Sequence, residues 1–467
     1  MRKVALQNLG CKVNSYELDV IGQKLEEKGF QIVPFDSQAD VYIINTCTVT
    51  NIADRKSRQM LHQAKKRNPE AVVVAAGCYV QTGKEQILED AGIDLAIGNN
   101  KKKDLVEILE AYLADREGRR VFDKTMNDTS VIDINDTFDY EEMQLTHTAE
   151  HTRAYIKVQD GCNQFCSYCI IPFARGRVRS RHLEDIYREV TGLAKTGYRE
   201  IVLTGIHISS YGIDFEDAPW EQGLCVEKPQ SKERHDYSGA GKLIDLIERI
   251  HDIEGIERIR IGSLEPRIVT KESAARLAAL PKVCPHFHLS LQSGCDSVLK
   301  RMNRRYTAAQ YRESVEALRE AFPNPAITTD VIVGFPGETE EEFAETVRYL
   351  EELSLYEMHI FRYSMRKGTV AAAMKSQVVE AVKAKRSNVL LEMEARKSRE
   401  YRSQFVGKPV AVLLEEEKEI HGRKYMLGHT AEYVRVAVSC TSDCTNQIVQ
   451  AMVQGFLEDD ILLGTEV

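Results

Sequence analysis

The chain has 467 residues, of which 43% are hydrophobic and 28% are charged. This length exceeds what one ordinary hydrophobic core organises, and we expect three domains. The formal net charge of -9 argues against indiscriminate nucleic-acid binding, although it does not exclude a local basic patch. No apolar run reaches the roughly 18 residues that span a membrane, and the amino terminus lacks the apolar region of a signal peptide. A cytoplasmic location without membrane association is therefore expected.

The first 120 residues alternate apolar runs with helical patterns. KVALQNL, VYIIN and VVVAA predict strands separated by amphipathic helices. This rhythm is typical of an open parallel α/β sheet. Residues 121–150 interrupt it with eight acidic side chains against the single Lys124, and they predict an acidic linker, called the acidic segment below.

Strand-helix units resume over residues 151–402 and predict a full or partial (β/α) barrel. Helices are predicted near 184–196, from Leu243, near 308–321 and over 377–403. A polar stretch at 212–241, which contains Trp220, interrupts the units and is either a functional loop or a tolerated surface insertion. The short alternating runs of 403–467 predict a small β-barrel.

Cys162, Cys166 and Cys169 form a C-x3-C-x2-C pattern directly after the predicted first barrel strand, AYIKVQD. Three thiolates on one loop can bind three irons of a 4Fe-4S cluster, and no fourth cysteine is spaced to complete the set. The remaining iron can be chelated by the amino and carboxylate groups of S-adenosylmethionine. A structural zinc site is the weaker alternative, because zinc uses four ligands that are typically supplied in C-x2-C pairs.

Three more cysteines each follow a predicted strand of the amino-terminal sheet: Cys11, Cys47 and Cys78. Because the carboxyl ends of parallel strands meet at one edge, these thiols predict a second cluster with an open iron, able to hold an exogenous sulfur species. Taken singly, each is also compatible with an ordinary buried thiol. We interpret the other cysteines as core or incidental thiols: Cys225, Cys284, Cys295, Cys440 and Cys444.

Three residues that follow barrel strands are candidate contacts of S-adenosylmethionine. Gly205 in VLTGIHI and Gly334 in VIVGFPGET would allow a close backbone approach, although turn geometry explains each glycine equally well. Glu265 in SLEP is either a ligand for a ribose hydroxyl or a plain loop carboxylate.

Two basic tracts stand out against the acidic average. The first consists of Arg175, Arg177, Arg179 and Arg181, and the second of Lys300, Arg301, Arg304 and Arg305. The first tract adjoins the predicted cluster, so it is either a solvated surface or a binding surface for a phosphate-rich substrate such as RNA.

The motifs LGCKVN, NTCTVT, AAGCY, DGCNQFCSYCIIPFARGRVRSR and ITTDVIVGFPGETEEEF together resemble those of the radical S-adenosylmethionine methylthiotransferases. The resemblance covers nearly the whole chain. LGCKVN, FARGR and the run from QSG to VLKRMNRRYT are most similar to the MtaB-type branch, which modifies N6-threonylcarbamoyladenosine in tRNA.

The resemblance implies two 4Fe-4S clusters and S-adenosylmethionine as cofactors. It assigns the auxiliary cluster to Cys11, Cys47 and Cys78 and the radical-generating cluster to Cys162, Cys166 and Cys169. It also implies that the residues from about 404 onward form a TRAM domain, an OB-like β-barrel that binds RNA.

The implied reaction places a methylthio group on C2 of adenosine 37, beside the anticodon. The implied partners are a tRNA anticodon stem-loop, an electron donor protein of the flavodoxin or ferredoxin type, and a sulfur donor. Isopentenyl-adenosine tRNA and a ribosomal protein are alternative acceptors, and an iron-sulfur RNA-binding sensor without turnover is the alternative from another class.

Overall fold

Three sheet-bearing units follow one another along the chain. The structure, a computed structural model, describes residues 1–90, 92–116, 118, 130–147, 152–215, 240–439 and 444–467. Trp220 and most of the predicted insertion at 212–241 lie outside these ranges. Across the described residues, no helix combines the length and the apolar character needed to cross a membrane.

The amino-terminal unit is an open parallel sheet in the order β2-β1-β3-β4-β5, as predicted. Its strands are β1 (Lys3–Asn8), β2 (Gln31–Val33), β3 (Val41–Thr46), β4 (Val72–Gly77) and β5 (Leu95–Ile97). Its helices are α1 (Lys12–Glu27), α2 (Asn51–Arg67), α3 (Cys78–Thr82), α4 (Lys84–Leu88) and α5 (Leu105–Arg116). Alternate residues of β3 enter opposite cores, since Ile43 shares one with α1 and α5 while Ile44 shares the other with α2.

The central unit is a partial barrel of six parallel strands, which is one of the two predicted forms. They are β6 (Arg153–Asp160), β8 (Glu200–Gly205), β9 (Arg258–Ile261), β10 (His286–His288), β11 (Ala326–Val333) and β12 (Glu357–Arg362), and the short β7 (Arg179–Ser180) runs antiparallel to β6. Isolated bridges such as Ile259↔Val283 join β9 to β10. Within the described part of the chain β6 and β12 do not pair, so the barrel has a gap between its first and last strands.

Most of the helices of this unit cover the outside of the barrel. They are α6 (Ile171–Arg175), α7 (Leu183–Lys195), α8 (Ala240–His251), α9 (Lys271–Ala278), α10 (Asp296–Arg301), α11 (Ala308–Ala321), α12 (Glu340–Leu353) and α13 (Glu380–Ser403). Four of them coincide closely with the helices predicted from periodicity, namely α7, α8, α11 and α13.

The amino-terminal unit closes the gap in the barrel. On one side α1 packs along β6. On the other side Arg366, beyond β12, donates to Asn51 Oδ1 at 2.8 Å, to Asp54 Oδ2 at 2.7 Å and to Thr48 Oγ1 at 2.6 Å. These acceptors lie just after β3, so the loop that carries Cys47 is held against the last barrel strand.

The acidic segment is described over 130–147, and there it packs against the protein instead of extending into solvent. Met143 and Leu145 are buried in the same core as the barrel strands. Glu142, one of the acidic residues of the predicted linker, pairs with the buried Arg181 at 2.5 Å. The segment therefore contributes apolar and ionic contacts to the central unit.

The carboxy-terminal unit is a small closed β-barrel, as predicted, with the strand order β13-β14-β15-β17-β16. The strands are β13 (Pro409–Ile420), β14 (Arg423–His429), β15 (Arg435–Val438), β16 (Ile448–Glu458) and β17 (Ile461–Glu466). Closure pairs both edges of the sheet, so none of its strands is left with an open side.

Two arginines of β9 attach this small barrel to the central one. Arg258 donates to the carbonyl oxygens of His429 at 2.9 Å and Ala411 at 2.8 Å. Arg260 donates to the carbonyl oxygen of Ala431 at 3.0 Å and pairs through Nε with Glu200 at 2.9 Å. The contact thus consists of hydrogen bonds to backbone carbonyls, and an ion pair within the central barrel holds Arg260 in place.

We predict that Arg260→Met lowers the free energy of unfolding by about 3 kcal/mol, because it removes the closest cation of the buried Glu200 carboxylate and leaves a carbonyl unpaired. Urea unfolding followed by circular dichroism measures the change. Arg435→Met is the matched control, since its pair with Asp460 is exposed and should contribute at most about 0.5 kcal/mol. Equal losses in the two variants would contradict the role assigned to Arg260.

Candidate cofactor and active site

The first cysteine triad lies at the carboxyl edge of the amino-terminal sheet. Cys11 caps α1, Cys47 follows β3, and Cys78 is the first residue of α3. A side chain on Gly10 would place its Cβ 3.0 Å from Cys47 Sγ, so the first two loops touch. Burial raises the pKa of the Cys47 thiol to about 11, and the neighbouring Cys78 and Cys11 thiols add to the shift. The structure therefore brings the three predicted residues together.

Two asparagines fix the loops that carry these cysteines. Asn14 Nδ2 donates to the carbonyl oxygens of Leu9 at 2.7 Å and Thr46 at 3.0 Å, which joins the ends of β1 and β3. Asn45 Nδ2 donates to the carbonyl oxygen of Asn14 at 2.9 Å. Gly77 has φ +99°, and a Cβ there would lie 2.5 Å from Asn45 Oδ1, so this position before Cys78 requires glycine.

The second triad occupies the loop between β6 and α6. The backbone N–H of Cys169 donates to the carbonyl oxygen of Cys166 at 2.9 Å, and that of Cys162 donates to Gly176 at 3.0 Å. Burial raises the pKa of Cys169 to about 12, and the Cys166 thiol contributes further. Burial likewise raises the pKa of Cys162, followed by the effects of Cys169 and Cys166. Thiols in this arrangement ionise readily only when a metal or another cation compensates the charge.

Glycine and arginine neighbours shape the second loop. Gly161 has φ +72°, and a Cβ there would lie 1.7 Å from the carbonyl oxygen of Arg177, so no larger residue fits before Cys162. Arg304 Nη1 donates to Cys166 Sγ at 3.2 Å. This guanidinium supplies positive charge next to a prospective thiolate ligand.

Arg175 follows the second triad in sequence and contacts the first triad. It lies on α6, shortly after Cys169, and its Nε donates to Cys78 Sγ at 3.2 Å. Its Nη1 donates to Glu17 Oε1 at 2.5 Å, and its Nη2 donates to Asn14 Oδ1 at 2.5 Å. The guanidinium of the central unit is therefore bound mainly by groups of the amino-terminal unit, and Asp160 at the end of β6 accepts a further hydrogen bond from Nη1 at 3.2 Å.

A buried ion network surrounds this contact. Glu17 also accepts from Lys102 and, at 2.8 Å, from Lys157, and Lys157 pairs with Asp160 at 2.6 Å. Burial opposes ionisation of Glu17, but the charges of Arg175, Lys102 and Lys157 outweigh it and hold the pKa of Glu17 well below its ordinary value. Arg175, Lys102 and Lys157 thus surround the Glu17 carboxylate, and Arg175 also donates to Cys78 Sγ.

For three of its four arginines, this network contradicts both interpretations of the first basic tract, a solvated surface and a phosphate-binding surface. Arg175, Arg179 and Arg181 are buried, and they pair with carboxylates inside the protein, so they do not form a phosphate-binding surface. Arg177 alone of the four is partly exposed, and its guanidinium lies 4.5 Å from the centre of the Phe165 ring. Sequence spacing gave no sign of the buried partners, because they come from distant segments.

The donor set of each triad fits a 4Fe-4S cluster with one iron left free. Each site offers three thiols, and none of the described cysteines forms a disulfide. The other described cysteines lie elsewhere: Cys284 interacts with Arg260, Cys295 Sγ donates to Glu345 at 3.2 Å, and Cys444 belongs to the core of the small barrel. Cys225 and Cys440 lie outside the described residues.

Two of the three candidate contacts of S-adenosylmethionine lie close to each other. Gly205 ends β8 against Gln159, whose Oε1 accepts from His207 N at 2.7 Å. Glu265 is buried, and His207 Nε2 lies 3.9 Å from its Oε2.

The third candidate, Gly334, has another explanation. It has φ +70°, and a Cβ would lie 2.3 Å from Lys383 Cγ, so helix α13 requires glycine there whether or not a ligand does.

The lumen of the barrel is lined by polar side chains that were not predicted from the sequence. His288, Asp330 and His359 occupy neighbouring strands, and their ligand-capable atoms lie within 4.8 Å of one another. The alternation of strand residues could have indicated them, since residues beside them such as Phe287 enter the helix-facing core.

Lys12, directly after Cys11, is exposed, yet burial and then Arg260 and Arg153 lower its pKa to about 8. Lys12 therefore reaches the vicinity of Arg260 on β9 and Arg153 on β6.

We predict that Glu17→Gln lowers the free energy of unfolding by about 3 to 5 kcal/mol, because Arg175, Lys102 and Lys157 then remain buried around a neutral amide. Glu26→Gln, which removes an exposed carboxylate from the same helix, should change stability by about 0.5 kcal/mol at most. Urea unfolding at neutral pH measures both. If Glu17→Gln matches the control, the network does not stabilise the contact between the units.

Family models match two parts of the chain. The model of the Radical SAM superfamily matches residues 156–350, which contain most of the central barrel and the second cysteine triad. The model of the Uncharacterized protein family UPF0004 matches residues 3–98, which contain the first triad. Among solved structures, the radical S-adenosylmethionine methyltransferase TsrM from Kitasatospora setae, with cobalamin and a 4Fe-4S cluster bound, is similar with a TM-score of 0.53 and 18% identity, over 77% of this chain and 75% of that one. At this identity the likeness concerns the fold alone.

Curated relatives match over almost the full length. The threonylcarbamoyladenosine tRNA methylthiotransferase MtaB of Bacillus subtilis is 39% identical over 97% of this chain and 94% of its own. The MtaB of Aquifex aeolicus is 39% identical over 91% and 95%. The tRNA-2-methylthio-N(6)-dimethylallyladenosine synthase of Methylacidiphilum infernorum is 33% identical over 91% and 86%. With this coverage and with the two triads in place, the chain belongs to the MtaB-type tRNA methylthiotransferases of the radical S-adenosylmethionine superfamily.

Proposed function

We propose that this protein attaches a methylthio group to C2 of N6-threonylcarbamoyladenosine at position 37 of tRNA. The observation that carries the proposal is the contact of Arg175 with Cys78, which ties the helix that follows the second cysteine triad to the first triad. The full-length similarity to enzymes named for threonylcarbamoyladenosine tRNA supports the choice of substrate.

The proposed cofactors are two 4Fe-4S clusters and S-adenosylmethionine. Cys11, Cys47 and Cys78 would hold the auxiliary cluster, and Cys162, Cys166 and Cys169 the cluster that binds S-adenosylmethionine. When bound, these groups supply a radical that removes the C2 hydrogen and the sulfur that replaces it, which acid-base chemistry cannot do at a carbon without an acidic proton. Gly205 and Glu265 remain our proposed contacts of S-adenosylmethionine. Gly334 remains a third, weaker one.

The protein itself contributes charge compensation and enclosure. Arg175 and Arg304 each donate to a cysteine sulfur, one in each triad, and so supply positive charge beside sulfurs that would ligate the clusters. The amino-terminal unit closes the gap of the barrel, which keeps bulk water away from a reactive intermediate.

The lumen also favours an anionic substituent on N6 of adenine. The threonylcarbamoyl group carries a carboxylate, whereas a dimethylallyl group is neutral and apolar. Lys12 makes no hydrogen bond or ion pair with the described residues, and it follows Cys11 directly. We assign to Lys12 the binding of the substrate carboxylate, and this cation distinguishes the two tRNA substrates.

The proposal includes three partners and a location. The small carboxy-terminal barrel is proposed as a TRAM domain that binds the anticodon stem-loop. A flavodoxin- or ferredoxin-type protein is proposed as the electron donor, and a separate sulfur donor is required because the tRNA substrate contains no sulfur to transfer. The cytoplasm, where tRNA is processed, is the proposed location.

The test of the function uses purified, cluster-loaded protein with a modified anticodon stem-loop, S-adenosylmethionine and a reductant, and detects the methylthiolated nucleoside by mass spectrometry. Replacing Cys162, Cys166 and Cys169 by alanine should leave about half the iron and abolish 5'-deoxyadenosine formation. Replacing Cys11, Cys47 and Cys78 should also leave about half the iron, abolish the product, and preserve 5'-deoxyadenosine formation. Product on a ribosomal protein but not on the stem-loop would overturn the proposed acceptor.

We predict that Lys12→Gln raises KM for the threonylcarbamoyladenosine stem-loop about 10-fold or more, because a charge-assisted hydrogen bond contributes about 1.5 to 3 kcal/mol. Lys12→Arg, which keeps the charge, should stay much closer to the wild type. The iron content of both variants is the control for the neighbouring triad. A stem-loop with isopentenyl-adenosine serves as the neutral comparison, and an equal loss of binding for both RNAs would refute charge recognition by Lys12.

A further inference from the structure

Phe165 has an unusual backbone conformation for an aromatic residue. It lies in the second cysteine loop between Cys162 and Cys166, and its φ of +49° is in the left-handed region, which costs a non-glycine residue about 1 to 2 kcal/mol. Asn303 Nδ2 donates to its carbonyl oxygen at 2.9 Å and holds the turn in place. The side chain is nevertheless 36% exposed, so the strained turn presents an aromatic ring to solvent instead of burying it.

Two further planar groups lie against this ring. Phe173 on α6 is 48% exposed, and its ring meets Phe165 edge to face at a centroid distance of 6.2 Å. The guanidinium of Arg177 lies 4.5 Å from the centre of the Phe165 ring. Phe165, Phe173 and Arg177 are called the aromatic platform below.

The aromatic platform lies in and directly after the second cysteine loop. Phe165 separates two thiols of the second triad in sequence, and Phe173 lies on the short helix between Cys169 and Arg175. Arg175 in turn donates to Cys78 Sγ at 3.2 Å. An exposed aromatic surface therefore adjoins the second triad, and the helix that carries Phe173 also carries the arginine that contacts the first triad.

Exposure alone does not single out these residues. Phe138 is 78% exposed, but the described residues place no aromatic ring or guanidinium against it, and it lies in the acidic segment. What distinguishes the aromatic platform is the combination of a strained turn, a paired ring, a cation above the ring and a position beside the reactive cysteines.

We infer that the aromatic platform stacks the unpaired nucleobase next to the target adenosine, an assignment that rests on the proposed function. A target base must leave its stack before chemistry can reach it, and its neighbour then loses a stacking partner. Aromatic rings and arginine guanidinium planes replace that partner, at about 1 to 3 kcal/mol per base. The platform thus holds the loop open on one side while the adenine occupies the lumen.

The experiment measures the affinity of cluster-loaded protein for a fluorescent anticodon stem-loop under anaerobic conditions. Phe165→Leu removes the ring but keeps an apolar side chain, and it should raise Kd about 10-fold. Phe165→Tyr should bind like the wild type. Phe138→Leu is the matched control for an exposed phenylalanine and should change nothing. Phe173→Leu provides a second variant outside the cysteine loop, with the same expected direction. Iron content verifies that each variant retains both clusters.

A double-mutant cycle then tests the contact itself. Two stem-loops each carry an abasic nucleotide, one on the 5' side of the target and one on its 3' side. For one of them, Kd of the wild type should rise about 10-fold, and Phe165→Leu should add no further loss. Independent, multiplying losses for both RNAs would overturn the inference, as would wild-type affinity in both Phe165→Leu and Phe173→Leu. If the wild type binds the stem-loop no better than an unrelated hairpin, the proposed function fails together with the platform.

Discussion

The guanidinium of Arg175 is a fully buried positive charge, and an uncompensated buried ion costs several kcal/mol. Its compensation comes from Glu17 on α1 and Asp160 at the end of β6, and Cys78 Sγ accepts its remaining Nε–H. The side chain therefore cannot keep its partners unless the amino-terminal sheet docks on the barrel. Docking, in turn, places the first triad beside the second, so the geometry of the site follows from the neutralisation of one buried charge.

The two joints between the structural units have the same chemistry. Arg175 projects from the central unit into polar groups of the amino-terminal one, and Arg258 with Arg260 projects from β9 into backbone carbonyls of the small barrel. Arginine suits this purpose because its planar fork makes several hydrogen bonds in fixed directions while its charge is matched by a buried carboxylate. The central barrel thus positions both neighbours through directional contacts in addition to apolar packing. An RNA held by the small barrel would then be presented in a fixed orientation to the lumen.

The sequence predicted much of this arrangement because its strongest signals are local. The first triad was predicted from the ends of three strands and the second from its C-x3-C-x2-C spacing after a strand. Periodicity predicted helices such as α7 and α11. The burial of Arg179 and Arg181 escaped prediction because their partners, Asp160 and Glu189, belong to a network completed by remote segments. Composition also misrepresented the acidic segment, whose charges are partly paired and whose apolar residues enter the core. The role of Gly334 could not be decided from the sequence, since a glycine after a strand is equally compatible with a ligand contact and with close packing.

The network around Arg175 also constrains how the gene can vary. Its members are scattered along the chain at positions 14, 17, 102, 157, 160 and 175. A single crossover between positions 18 and 174 would combine Glu17 from one parent with Arg175 from the other. Exchange of the amino-terminal unit between relatives should therefore succeed only when both parents carry the same charges at these positions. The unit that holds the first triad is thus tied to the barrel by buried charges, although its strands form a separate sheet.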